Sequence, residues 1–134
     1  MTDFDRENLL SLARTALNHA YAPYSRFPVG AALLAEDGRV FTGCNVENAS
    51  FGLTLCAERV ALGKAVSEGV RRFKAVAIVA EKLKPCPPCG ACRQVLAEFG
   101  PELVVLLERD GQPLELGMTE VLPFGFSGAF LEEA

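Results

Sequence analysis

The sequence predicts an α/β protein with three layers, α/β/α, in which helices cover both faces of a five-stranded mixed sheet. Three observations indicate this fold. The predicted elements follow the order helix, hairpin, helix, strand, helix, hairpin. Several strands are continuous apolar runs, which is typical of strands buried on both faces. Two Asp-Gly pairs mark hairpin turns. At 134 residues the chain has the length of one domain, which we expect to span residues 1–134.

The first half of the chain is predicted to form a helix, a hairpin and a second helix. Leucines and alanines recur at helical spacing over residues 5–20, and Asp3 or Asp5 can cap the start of this helix. The apolar run at 29–35 predicts a buried strand, and the Asp-Gly turn at 37–38 returns the chain as a partner strand over 40–45. A polar loop then leads to a helix over about 56–68, which a glycine ends.

The second half adds three strands and a third helix. The run KAVAIVA lacks polar alternation, so it predicts a central strand that is buried on both faces. The predicted elements are a strand at 74–80, a proline-rich loop at 81–88, a helix at 89–99, a strand at 103–107, a hairpin turn at Asp110-Gly111, a strand at 113–116 and a helical turn at 119–122.

Charge and hydropathy narrow the class of partner. The chain carries 13 Lys+Arg against 17 Asp+Glu, a net charge of −4, whereas a protein that binds nucleic acid has a basic stripe or excess. No apolar run reaches the ~18 residues of a membrane span. The N-terminal segment carries acids where a secretory leader carries bases. We therefore expect a small, uncharged ligand, and neither nucleic acid nor a membrane.

The cysteines indicate a reducing compartment. There are five, an odd number, and Cys86, Cys89 and Cys92 fall within seven positions. A secreted disulfide framework uses an even number of cysteines. Thiols that remain free to bind metal fit a reducing cytoplasm better, so we expect a cytoplasmic protein.

Cys56 and the pair Cys89 and Cys92 lie at the predicted starts of two helices and predict a Zn²⁺ site. The positive end of a helix favours thiolate over thiol. Three thiolates leave the fourth tetrahedral position open to water, as in catalytic rather than structural zinc sites. Glu58, two residues after Cys56, is near enough to carry protons to and from that water.

Two arginines follow the metal ligands closely. Three thiolates and Zn²⁺ carry a net charge of −1, and an arginine that donates hydrogen bonds to sulfur would offset this charge. We expect Arg59, beside both Cys56 and Glu58, to do so. For Arg93 an arginine at a helix end with no such role is an equally good interpretation.

The remaining cysteines and the single histidine leave alternatives open. Cys86-Pro87-Pro88-Cys89 also has the spacing of a ligand pair, and four bound cysteines would make a closed, structural zinc site. Cys44 lies in a strand pattern and is expected to be a small buried apolar residue. His19 falls on the first predicted helix, far in sequence from the cysteines, and a structural role is expected for it.

Segments along nearly the whole chain resemble those of the small cytidine deaminases, and their combination is more specific than any one of them. The segments are APYSRFPVGAAL (22–33), GCNVENASFG (43–52), CAERVAL (56–62), PCGACRQVL (88–96) and LPFGFS (122–127). The resemblance implies a cytidine-deaminase-like fold and zinc-dependent hydrolytic deamination of cytidine and deoxycytidine, a step of pyrimidine salvage, with no organic cofactor.

The resemblance also assigns roles by position. Cys56, Cys89 and Cys92 match the family's zinc ligands, and Glu58 matches its general acid/base. Roles at the substrate are implied for four further residues: Asn45 and Glu47 hydrogen-bond the ribose hydroxyls, Phe27 packs on the pyrimidine, and the Ala57 backbone contacts the base edge.

The small enzymes of this family are homotetramers with shared active sites, and Phe126 matches an aromatic that enters a neighbouring subunit's pocket. Two positions depart from the family pattern. Phe51 stands where relatives commonly have Tyr, so a hydroxyl contact between subunits is lost. Phe124-Gly125 replaces the usual Gly-Ala before Phe126.

Two other functions are weighed against this one. An aminonucleoside-antibiotic deaminase of the blasticidin type shares the cysteine motifs, but lacks the Asn-x-Glu-Asn loop found here at 45–48. A non-catalytic, zinc-stabilised interaction module would bind zinc through four cysteines. It would leave Asn45, Glu47 and Glu58 without a role.

Overall fold

The computed structural model describes residues 3–128 and Leu131. Its elements in chain order are α1 (Arg6–Leu17), β1 (Val29–Ala35), β2 (Val40–Cys44), a 3₁₀ helix (Phe51–Leu53), α2 (Ala57–Ser67), β3 (Phe73–Ala80), α3 (Gly90–Ala97), β4 (Val104–Arg109), β5 (Gln112–Gly117) and α4 (Met118–Val121). Each predicted helix and strand is present within a few residues of its expected bounds.

The five strands form one mixed sheet in the order β2-β1-β3-β4-β5. The β3–β4 pair is parallel and the other three pairs are antiparallel. Both hairpins turn at the predicted Asp-Gly pairs. Gly38 has φ 96°, and Asp110 and Gly111 have φ 53° and 75°. Positive φ is what tight hairpin turns require, so local sequence sets both antiparallel ends of the sheet.

Helices cover both faces, which confirms the three-layer prediction. Successive strand residues point to opposite faces, and β1 illustrates this. Ala32 packs with the α1 residues Leu9, Leu10 and Ala13. The next residue, Leu33, packs on the other face with the α2, α3 and α4 residues Ala61, Leu62, Ala65, Leu96 and Met118. The helices that carry the three predicted metal ligands therefore share one face of the sheet.

Two strand glycines let helices lie directly on the sheet. A Cβ on Gly30 would lie 2.7 Å from the Leu17 nitrogen in α1, and one on Gly43 would lie 2.6 Å from the Ala61 nitrogen in α2. Real side chains do not tolerate such distances to backbone atoms. Gly43 thus fixes how closely α2 approaches β2, the strand that leads into the 45–47 loop.

The first helix is shorter than its periodicity predicts. Of the two expected caps, Asp5 is the one used, and it accepts a hydrogen bond from the Asn8 amide at 3.0 Å. After Leu17 the amides of Asn18, His19 and Ala20 bond to carbonyls three residues back, so the helix ends in tight turns. His19 therefore lies just beyond the helix, not on it.

Among the described residues no helix has the length and apolarity needed to cross a membrane.

Candidate active site and metal centre

The structure brings the three predicted metal ligands together. Cys56 is the N-cap of α2, Cys89 is the N-cap of α3, and Cys92 lies in the first turn of α3. Their sulfur atoms all lie within 4.8 Å of one another. Neither N-cap side chain makes a capping hydrogen bond. The sulfurs are thus free to face one another at the positive ends of two helices.

The spacing of the sulfurs fits a tetrahedral zinc ion. The Sγ atoms of Cys56 and Cys89 are 3.9 Å apart, and a Zn–S bond length of 2.3 Å puts two tetrahedral ligands ~3.8 Å apart. Cys86 is not a member of this group within the described part of the chain. Three thiols therefore hold three corners, and the geometry does not build the four-cysteine site that the spacing left open.

Cys56 and Cys92 shift each other's pKa in opposite directions. A hydrogen bond from Cys92, with a further contribution from Arg59, lowers the pKa of Cys56 to about 5. The same bond and burial raise the pKa of Cys92. Of these two thiols, Cys56 is thus the one whose ionisation its surroundings favour. Because metal ligation requires thiolates, binding of zinc would release the protons that the three cysteines still carry.

Glu58 occupies the first turn of α2 and is only 4% exposed. Burial is the main cause that raises the pKa of its carboxyl, and the negative charge of Cys56 adds to the effect. A raised pKa moves a carboxyl toward the pH at which it both accepts and donates protons. The structure thus places a carboxyl suited to proton transfer beside the cysteine group, where interaction with Cys92 partly offsets the rise in its pKa.

The two arginines differ in what they contact. Arg59 Nη2 donates to Cys56 Sγ at 3.5 Å and approaches the Thr54 carbonyl oxygen at 3.4 Å. Arg93 donates to the backbone oxygens of Pro88 at 2.7 Å and Val121 at 2.9 Å. Arg59 is therefore beside the sulfur charge, as expected. Arg93 instead ties the loop before α3 to the end of α4.

A cavity of about 340 Å³ adjoins the cysteines, a volume in the usual range for small-molecule sites. Seven of the residues expected at the substrate or metal line it together: Phe27, Asn45, Glu47, Cys56, Ala57, Glu58 and Cys89. Residues that lie far apart in sequence thus surround one space.

Asn45 and Glu47 also hold the loop opposite them. The buried Asn45 amide accepts from the Val29 nitrogen and donates to the Phe27 oxygen, both at 2.9 Å. Glu47 Oε1 accepts from the amides of Tyr24 at 3.0 Å and Ser25 at 3.1 Å. Hydrogen bonding to Ser25 is the largest cause that lowers the pKa of Glu47, which stays ionised.

Sequence reasoning did not single out four other residues of the cavity wall: Ser25, Val29, Thr54 and Pro87. Ser25 lies inside a segment that carried the resemblance, yet nothing in its spacing indicated a role. Cys86, set aside as an alternative zinc ligand, also lines the cavity. Burial raises the pKa of its thiol to about 11, so it remains uncharged beside the metal ligands.

Phe126 does not reach this cavity in its own chain. It lines a separate cleft of about 280 Å³ with Leu122 and Gly125, and its carbonyl oxygen accepts from Gln94 Nε2 at 2.9 Å. Phe124 adopts φ 56° and is fully exposed. Phe51 is 74% exposed, and among aromatic residues of the described chain it contacts only Tyr24, in a T-shaped arrangement with 6.1 Å between centroids.

A larger cleft of about 420 Å³ lies between α1 and the end of β3, where Arg14 and Lys84 are among its lining residues. Within residues 3–128 and Leu131, no group of three metal-ligating side chains occurs there. The cleft also contains none of the residues predicted to act. The cavity beside the cysteines, although smaller, is the candidate active site.

Comparison with known protein families agrees with this geometry. Residues 4–108 match the model of a family described as the cytidine and deoxycytidylate deaminase zinc-binding region. That stretch contains Cys56, Glu58, Cys89 and Cys92, so the match includes every residue proposed to bind the metal or carry the proton.

Curated relatives and solved structures resemble the chain over almost its whole length. A cytidine deaminase of Sporosarcina psychrophila is 53% identical over 125 residues, covering 92% of both chains. One of Halalkalibacterium halodurans is 54% identical over 125 residues, covering 92% of this chain and 95% of the relative. The crystal structure of a cytidine deaminase from Burkholderia pseudomallei superposes with a TM-score of 0.87 at 49% identity, covering 92% of this chain and 100% of the other.

Proposed function

The chain belongs to the family of zinc-binding cytidine and deoxycytidylate deaminases, and from this premise we propose that it deaminates cytidine and deoxycytidine by hydrolysis. The products are uridine or deoxyuridine and ammonia. One observation carries the proposal. A buried carboxyl, Glu58, lies beside a cluster of three thiols and lines one cavity with Cys56, Cys89, Asn45 and Glu47.

Zinc is the metal that these residues fit. Cys56, Cys89 and Cys92 would hold it, and three sulfur ligands leave one tetrahedral corner for water. A zinc ion bound in this way supplies Lewis acidity, which makes a water molecule easier to ionise near neutral pH. Arg59 moderates the negative charge of the thiolates through its contact with Cys56.

Glu58 carries the protons. It removes one proton from the attacking water and transfers it to N3 of the base, while the water oxygen bonds to C4. It then moves the second water proton to the exocyclic amine, and the C4–N4 bond breaks to release ammonia. Burial suits Glu58 to both steps, since a raised pKa allows the carboxyl to return each proton that it accepts.

The rest of the cavity orients the nucleoside. Phe27 packs on the pyrimidine, and the Ala57 backbone contacts the base edge. Asn45 and Glu47 hold the sugar hydroxyls, because a neutral sugar needs directed polar contacts. Asn45 has one amide hydrogen beyond its bond to Phe27, so it can donate to a hydroxyl without releasing the loop.

A homotetramer with shared active sites is part of the proposal. Phe126 is 58% exposed and lies outside the cavity of its own chain, where a neighbouring subunit's pocket can receive it. Phe51 and Leu53, in the 3₁₀ helix that follows the 45–47 loop, are 74% and 67% exposed, apolar surface that a neighbouring subunit can cover. Sedimentation velocity would test this, and a monomer with full activity would contradict it.

We propose that the protein works in a reducing cytoplasm and that its reaction is a step of pyrimidine salvage. All five cysteines are free thiols, and the metal site needs three of them reduced. We propose that residues 1–134 act as a single deaminase domain.

A spectrophotometric assay tests the function. The purified protein should lower the ultraviolet absorbance of cytidine and deoxycytidine, and a zinc chelator should abolish this activity. X-ray absorption should find three sulfur neighbours and one oxygen or nitrogen around zinc. Blasticidin S as the preferred substrate would favour the antibiotic deaminase, and four sulfur neighbours with no turnover would favour a structural module.

A further inference from the structure

Ser25 joins the two substrate-facing parts of the cavity. Its hydroxyl donates to Glu47 Oε2 and accepts from the Phe27 amide, with a nitrogen to oxygen distance of 3.0 Å. Its own amide donates to Glu47 Oε1. One short side chain thus contacts both the carboxylate expected at the sugar and the aromatic residue expected at the base.

The backbone around Ser25 makes this contact possible. Arg26 adopts φ 56°, a left-handed conformation that a non-glycine residue rarely occupies. Its amide donates to the Ala22 oxygen at 3.0 Å, which closes the turn. Ser25 and Phe27, on either side of Arg26, both line the cavity. The turn therefore directs both neighbours of Arg26 toward the site.

Hydrogen-bond counting shows what Ser25 leaves available on Glu47. A carboxylate has about four acceptor positions. Tyr24 and Ser25 fill three of them, two on Oε1 through their amides and one on Oε2 through the Ser25 hydroxyl. The remaining position is on Oε2. The serine hydroxyl gives its single proton to Glu47, so it cannot donate to a ligand, and a sugar hydroxyl can donate to the remaining carboxylate position.

Phe27 is held from both sides. Its amide donates to Ser25 and its carbonyl oxygen accepts from Asn45 at 2.9 Å. Loss of the Ser25 hydroxyl would remove two hydrogen bonds at once: the one that it accepts from the Phe27 amide and the one that it donates to Glu47. No other side chain within the described residues contacts both groups through one atom.

We propose that Ser25 is a positioning residue that couples sugar recognition to base placement, by keeping one Glu47 oxygen available to a sugar hydroxyl while fixing the Phe27 backbone. This inference rests on the proposed deaminase function. It predicts that nucleosides with a sugar hydroxyl depend on Ser25 more than nucleosides without one.

The test compares Ser25→Ala, Ser25→Thr and the wild-type enzyme on cytidine and on 2′,3′-dideoxycytidine. Because a hydrogen bond to a charged group is lost, the KM of Ser25→Ala for cytidine should rise about tenfold, with kcat changed by less than about threefold. For 2′,3′-dideoxycytidine the rise should be at most about threefold, since Glu47 has no hydroxyl to accept there. Ser25→Thr keeps the hydroxyl and should restore KM.

Ser67→Ala is the matched control. The Ser67 hydroxyl also bonds within the chain, to the Lys64 oxygen at 2.7 Å, but at the far end of α2. The Ser67→Ala variant should leave KM and kcat for both nucleosides unchanged. If Ser25→Ala does not fold, Ser25→Cys, which keeps the side-chain shape but donates weakly, should raise KM for cytidine in the same direction.

The outcomes separate this inference from the function on which it rests. A wild-type enzyme with no activity on either nucleoside overturns both. Three results with an active wild type would overturn the role of Ser25 alone. They are a Ser25→Ala variant with wild-type KM, an equal rise in KM for both nucleosides, and a Ser25→Thr variant that does not restore KM.

Discussion

Two parts of the cavity wall are built differently: the metal end, formed by the cysteines and Glu58, and the sugar end, formed by Asn45 and Glu47. At the metal end the functional groups stand on the first turns of α2 and α3, and Glu58 and Cys92 are almost fully buried. At the sugar end they stand on loops, where Asn45 and Glu47 are held by hydrogen bonds to the 21–29 segment. The two ends meet at β2, whose Gly43 touches α2.

Under the proposed function, this difference divides chemistry from substrate recognition. Helix starts fix position through many backbone bonds and impose their partial charge on the sulfurs. The loop end relies on a few side-chain bonds, each of which can be lost by one substitution. We therefore expect changes at the metal end to abolish turnover, and changes at the sugar end to weaken substrate binding first.

The largest effect is expected for Glu58→Gln. Glutamine keeps the shape of the side chain but cannot carry protons, so kcat should fall roughly 10³-fold or more. Zinc content, measured by atomic absorption, should stay at the wild-type level because Glu58 is not a ligand. Glu68→Gln, at the exposed end of the same helix, is the control and should keep wild-type kcat. Near-normal turnover in Glu58→Gln would refute the proton-carrier role.

Gly43→Ala tests the junction between the two ends. The added methyl group would collide with α2 backbone atoms, and overpacking of this kind costs about 3 kcal/mol. Both the free energy of unfolding, from urea titration, and kcat/KM should fall, the latter by roughly 100-fold.

Gly63→Ala on α2 is the matched control for this variant. Its Cβ would meet nothing within 4 Å, and alanine favours the helix by about 0.5–1 kcal/mol. It should be slightly more stable than the wild type and fully active. Equal behaviour of the two alanine variants would show that the α2–β2 approach is not critical.

Asn45→Asp addresses the sugar end. Aspartate cannot donate to the Phe27 oxygen, which is left unpaired beside a buried charge, at a cost of about 2 kcal/mol. KM for cytidine should rise roughly 30-fold, with kcat less affected. Asn48→Asp keeps the acceptor that bonds the Ser50 amide at 2.9 Å and should bind cytidine normally. A collapse of kcat at constant KM in Asn45→Asp would show that the two ends are not divided as described.

The smallest effect is expected for Arg59→Ala, measured by competition with a chromogenic chelator. Without the guanidinium beside Cys56, zinc affinity should fall about tenfold. Arg93→Ala should lower the free energy of unfolding instead, because Arg93 bonds only the backbone oxygens of Pro88 and Val121 among the described contacts. The reverse pattern would exchange the roles assigned to the two arginines.

Much of the fold was predictable because its signals are local. The apolar runs, the Asp-Gly turns and the Asp5 cap each depend on neighbouring residues, and each appears where expected. The boundaries were less predictable. The helix predicted over 5–20 ends at Leu17. Its apolar periodicity continues through residues 18–20, but their amides bond to carbonyls three residues back instead of four.

The candidate site was only partly predictable. Cys56, Cys89 and Glu58 carry their signal in short spacings at helix starts, so sequence reasoning found them. Ser25 was missed because its partners are Glu47, 22 residues away, and a backbone amide, and backbone donors leave no mark in a sequence. Arg93 kept two interpretations until its carbonyl partners were known.

The sequence by itself determined which segments become helices and strands, which side chains can ligate zinc and which acid accompanies them, because these properties follow from short-range spacing and from the chemistry of each residue. The tertiary structure decided that Cys86 stays outside the sulfur group, that Asn45 and Glu47 hold the opposite loop, and that Phe126 lies away from its own cavity. Those outcomes depend on how the sheet order and the packing of α2 and α3 bring distant segments together, and no local pattern records such contacts.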